Sequence, residues 1–113
     1  MARILIVEDE MLVAMLIEDT LSDLGHVVVG PAMRLETALA AVETESFDYA
    51  ILDINLAGKT SFPVADLLVE KGIPFMFASG YGAAGLTEGY RERLLQKPFV
   101  GQEIEKMLTT LSQ

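Results

Sequence analysis

Arg3-Ile-Leu-Ile-Val-Glu-Asp9 opens the chain with four apolar residues in a row that stop on two carboxylates. A short, unbroken, β-branched run of this kind predicts a strand over 2–8 buried on both faces, the form strands take in parallel sheets. The same grammar recurs downstream. Tyr49-Ala-Ile-Leu52 stops on Asp53, Ile73-Pro-Phe-Met-Phe-Ala78 on Ser79, and Leu94-Leu-Gln96 on Lys97. In an open parallel α/β sheet the carboxyl ends of the strands share one edge, and sites form in the crevice there. Residues spread over most of the chain are therefore expected to converge on one pocket of carboxylates, a hydroxyl and an ammonium. That combination suits a divalent metal and a phosphoryl group.

The segments between these runs read as helices. Glu10 to Leu24 is expected to be helical, with Asp9 able to cap it, Glu18, Asp19, Ser22 and Asp23 on one polar face, and Gly25 as its stop. His26 to Val29 reads as a second strand ended by Gly30-Pro31, and Ala32 to Thr44 as a helix rich in Ala, Leu and Glu. Asn55 to Thr60 reads as a loop. Ser61 is a candidate N-cap for a helix with Pro63 in its first turn and Gly72 past its end. Gly80-Tyr-Gly-Ala-Ala-Gly85 leaves room only for a short or weak helix before Arg91, and Gly101 to Leu111 is an amphipathic closing helix. Strand and helix alternate throughout, which predicts an α/β fold with a doubly wound sheet of five strands and about five helices.

The chain has 113 residues, the size of one domain, so a single unit over 1–113 is expected. The absence of cysteine excludes disulfides and thiolate metal sites and fits a reducing cytosol. No secretory leader pattern and no membrane-length apolar run is present, so a soluble, cytoplasmic protein with no membrane partner is expected. Acidic residues outnumber basic ones by 17 to 8, a net charge of −9, and a surface this negative disfavours direct contact with nucleic acid. The start at Met1 and the end after a closing helix favour a stand-alone protein or the removal of whatever followed.

Each residue also has a plainer reading. Asp9 alone is equally a helix cap, Asp53 a turn former, Ser79 a cap beside Gly80, and Lys97 a solvated surface lysine. Their alignment at successive strand ends is what favours chemistry. Magnesium takes oxygen ligands, commonly one or two carboxylates together with phosphate oxygens, and Glu8, Asp9 and Asp53 offer such ligands. Asp53 is then the candidate nucleophile, forming an acyl phosphate, with Ser79 and Lys97 placed to contact phosphoryl oxygens. His26 has no second His or Cys to share a metal with, and the six Met residues read as core filling.

Over nearly its whole length the chain resembles the receiver domain of two-component response regulators. The match rests on Glu8-Asp9, Asp53, Ser79 and Lys97-Pro98-Phe99, each after its own strand. The resemblance implies a flavodoxin-like fold with strand order 2-1-3-4-5. It implies that Asp53 accepts phosphate from a sensor histidine kinase or a histidine phosphotransfer protein. It also implies that Glu8 and Asp9 hold magnesium with the backbone carbonyl of Asn55, that Ser79 and Lys97 contact the phosphoryl group, and that a downstream protein target reads the change. Phe77-Ala-Ser-Gly-Tyr81 is similar to the Phe-Ala-Thr-Gly-hydrophobic-Tyr signature of a receiver subgroup found largely in alphaproteobacteria. One departure concerns output. Ordinary receivers carry an aromatic residue three positions before the lysine, whereas here that position is Leu94, which has no ring to reorient.

The expectation is therefore a signalling switch rather than an enzyme acting on other substrates. A small aspartyl-phosphate phosphatase or phosphotransferase is the main rival, disfavoured because Asn55, not a second Asp, stands two residues past Asp53. A non-phosphorylated interaction module is disfavoured by the intact residue set. A flavodoxin-type cofactor binder is disfavoured because the carboxylates would repel a flavin phosphate.

Overall fold

The computed structural model describes residues 2–79, Leu94–Gln96 and Lys106. In order these are β1 (Arg3–Val7), α1 (Met11–Asp23), β2 (Val27–Ala32), α2 (Leu35–Thr44), β3 (Tyr49–Asp53), β4 (Asn55–Leu56), β5 (Lys59–Thr60), α3 (Phe62–Lys71), β6 (Phe75–Ser79) and β7 (Leu94–Gln96). β2, β1, β3, β6 and β7 lie side by side in that order, and all four ladders are parallel. Counting only the strands of this sheet, the order is the expected 2-1-3-4-5. Lys106 is helical, within the expected closing helix, and the rest of that helix and the Gly80–Arg93 segment lie outside the described residues.

The two-residue period of β1 explains why helices cover both faces. Leu5 and Val7 join Ala50, Leu52, Phe75 and Phe77 under α2 and α3, where Ala38, Val42, Val64, Ala65 and Leu68 complete that core. Ile4 and Ile6 point the other way and pack with Ile51, Met76 and Ala78 against Ile17 and Leu21 of α1. Phe77 anchors the larger core, meeting Phe62 and Phe75 edge-on at ring-centroid distances of 5.9 Å and 5.6 Å. Glu18, Asp19, Ser22 and Asp23 are exposed as expected from their shared face.

Several boundaries differ from the sequence reading. β2 runs through Gly30-Pro31 to Ala32 instead of stopping at Val29, so α2 starts at Leu35 and not at Ala32. Proline is tolerated because β2 is the outer strand, where a missing N–H leaves no inner ladder bond unmade. Gly30 has φ +96, and a Cβ there would lie 2.9 Å from the Ala32 nitrogen and 3.0 Å from the Ile6 oxygen, so only glycine fits. The extension matters for the site, since the Ala32 carbonyl accepts the Glu8 N–H at 3.0 Å. The expected loop over Asn55–Thr60 is a small antiparallel hairpin, with Asn55 opposite Thr60 and Leu56 opposite Lys59. The fourth strand of the main sheet begins at Phe75, two residues later than expected, and includes Ser79.

Candidate functional site

β1 and β3 are hydrogen-bonded neighbours with Val7 opposite Leu52, so Glu8 and Asp9, which follow β1, are brought to the same edge as Asp53, which ends β3. Carboxylate oxygens of Glu8, Asp9 and Asp53 all lie within 4.8 Å of one another. Glu8 is 1% exposed, and among the described residues it is the one charged side chain in the buried class. Its Oε2 accepts the Glu10 N–H at 3.3 Å. Asp9 does not cap α1. Glu10 occupies the N-cap position and no side chain caps the helix. Asp9 instead reaches across to the hairpin, where its Oδ2 accepts the Ala57 N–H at 3.0 Å.

The hairpin turn explains how that N–H is aimed. Ala57 and Gly58 have φ of +51° and +84°, the paired positive values of a two-residue turn whose twist matches its strands. Such turns favour Asn-Gly. Alanine at the first position hides the hairpin, and with it the bond to Asp9, from a sequence reading. Ser61 was expected to cap α3, and it does sit at the N-cap position, but its side chain makes no capping bond. Its hydroxyl donates to the Asp53 main-chain carbonyl, and its N–H donates to the Ile54 carbonyl at 2.8 Å. Asn55, the expected carbonyl ligand, opens β4 directly after Ile54, the residue that follows Asp53.

Ser79 is the last residue of β6, opposite Gln96 in β7, so its backbone lies at the same sheet edge as Asp53. Leu94 stands opposite Phe77. Lys97 follows β7 directly in sequence and lies outside the described residues, as does Tyr81.

Three converging carboxylates repel one another, and a cation offsets that repulsion. The donor set is all oxygen, with no thiolate and no imidazole in the cluster, which selects a hard cation such as magnesium over zinc. Oxygens all within 4.8 Å of one another are near enough to share one cation.

A family model for the response regulator receiver domain matches residues 4–109. The chain belongs to the response regulator receiver family. It is 35% identical over 112 residues to the phyllosphere-induced regulator PhyR of Methylorubrum extorquens, a match covering 95% of this chain and 42% of PhyR. Among solved structures, the receiver SdrG from Sphingomonas melonis Fr1 is 43% identical with a TM-score of 0.89, covering 100% of this chain and 98% of SdrG. The beryllofluoride-activated conformation of SdrG from Pseudomonas melonis Fr1 is 45% identical with a TM-score of 0.81, covering 96% and 94%. The anti-anti-sigma factor PhyR from Bartonella quintana is 27% identical with a TM-score of 0.86, covering 98% of this chain and 47% of that one. The chain spans half or less of the length of the curated relatives it matches. Its receiver relatives PhyR and SdrG bear out the alphaproteobacterial subgroup, and the chain is a phosphoacceptor receiver of two-component signalling.

Proposed function

We propose that residues 1–113 form a single cytoplasmic receiver domain that accepts a phosphoryl group on Asp53 in a magnesium-dependent reaction. The convergence of Glu8, Asp9 and Asp53 at one sheet edge carries this reading. Glu8, Asp9, Asp53 and the main-chain carbonyl of Asn55 would hold the ion, which would supply positive charge against the negative charge of the phosphoryl oxygens. An Asp53 carboxylate oxygen attacks phosphorus in line. The new P–O bond forms as the P–N bond of a donor phosphohistidine breaks, and the imidazole leaves with the bonding pair. Ser79 and Lys97 complete the phosphoryl contacts as hydrogen-bond donor and point charge.

The donor is a histidine kinase or histidine phosphotransfer protein. Met11, Leu12, Met15 and Leu16 form an exposed apolar strip on the first turns of α1, with Leu12 77% and Leu16 66% exposed. The strip begins two residues past Asp9, so a partner delivering a phosphoryl group to this edge meets it. The output goes to a protein target. A relative named an anti-anti-sigma factor supports that direction, and a net charge of −9 disfavours nucleic acid. Among the described residues no helix is long and apolar enough to cross a membrane.

Fluorine NMR with beryllofluoride tests the reading. Bound fluoride resonances are expected with magnesium, and none are expected in excess EDTA or in Asp53→Asn. Equal binding in EDTA would overturn the metal's role.

A further inference from the structure

Ser61 lies outside the residues expected to touch metal or phosphate, yet its side chain is fully buried at 0% exposure. It forgoes the capping bond its position offers and spends both donors on the segment that carries the acceptor. The hydroxyl bonds the carbonyl of Asp53 and the N–H bonds the carbonyl of Ile54, so one residue holds two consecutive peptide groups. The next carbonyl along the chain is that of Asn55, and Asn55 is itself paired with Thr60, the neighbour of Ser61. With two successive peptide planes fixed, the freedom of the third to turn its carbonyl away is small. At the far end of the same hairpin the Ala57 N–H holds Asp9. The segment from Asp53 to Ser61 is therefore a closed loop tied at its base by Ser61 and at its tip to Asp9.

The geometry points to Ser61 as a positioning residue of the metal and acceptor site. It acts through the backbone of Asp53, Ile54 and Asn55, not by contact with metal or phosphate. Groups one layer behind metal ligands commonly change affinity by about 10-fold to 100-fold when removed, because the ligands they orient lose their preset geometry. The inference rests on the proposed magnesium site, and its test separates the two.

The amide spectrum of the ¹⁵N-labelled chain is titrated with magnesium chloride in wild type, Ser61→Ala, Ser61→Cys and Val64→Ala. The Ala57 resonance serves as reporter because its N–H touches Asp9. Ser61→Ala is expected to raise the magnesium dissociation constant about tenfold. Ser61→Cys, which fills the same space with a weaker donor, should shift it in the same direction. Val64 is fully buried in the first turns of α3, so Val64→Ala lowers the melting temperature while leaving the Ser61 hydroxyl and N–H in place. Its dissociation constant should stay within about twofold of wild type, separating positioning from general destabilisation. An unaltered constant in both Ser61 variants, or an equal rise in Val64→Ala, overturns the inference while leaving the site standing. A wild-type chain that takes up no magnesium overturns the site, and the inference falls with it.

Discussion

Asp9 and Glu8 are adjacent carboxylates with different surroundings, and the difference assigns them different weights. Glu8 is buried and already accepts the Glu10 N–H, a position suited to meeting a cation through water. Asp9 is half-buried and held by the Ala57 N–H through one oxygen, which leaves the other for the proposed ion. Asp9→Ala should therefore raise the magnesium dissociation constant by about tenfold or more, and Glu8→Ala by a smaller factor. Asp9→Asn keeps an acceptor for Ala57 while losing the charge, and should weaken binding nearly as much as Asp9→Ala. Isothermal titration calorimetry checks the ranking, and Glu8→Ala exceeding Asp9→Ala would reverse the assignment. The presence of both carboxylates at the site was legible in the sequence, because the strand before them reads unambiguously. Their hydrogen bonds were not, since the partner of Asp9 lies 48 residues away on a backbone N–H that any residue but proline could supply.

At the level of elements, the hairpin of β4 and β5 decides how well the site is organised. Its turn places Ala57 at φ +51°, a conformation that costs an L-residue without a compensating side chain about 1–2 kcal/mol, while Gly58 takes φ +84° freely. Two substitutions should act in opposite directions. Ala57→Asn should gain up to about 1 kcal/mol, since asparagine adopts this conformation readily. Gly58→Ala should lose about 1 kcal/mol, although its Cβ would meet nothing within 4 Å, because the cost is conformational. Urea unfolding measures both, and equal signs would contradict the turn assignment. Element legibility followed chemistry. β1, β3 and α3 were recognisable from apolar period and from Pro63 and Gly72, whereas β2 looked finished at Gly30-Pro31 because proline in an inner strand would break a ladder. Only the sheet order reveals that β2 is an outer strand.

Across the whole molecule, the parallel order β2-β1-β3-β6-β7 is what turns scattered polar residues into one site. The alternation of strands and helices made the doubly wound sheet readable, and family resemblance supplied the order, which no local pattern encodes. On the proposed reading, this sheet edge makes Asp53 the sole phosphoacceptor. Intact mass spectrometry after incubation with acetyl phosphate and magnesium tests it directly. One added phosphoryl group is expected on the wild-type chain and none on Asp53→Asn. Full modification persisting in Asp53→Asn would contradict it.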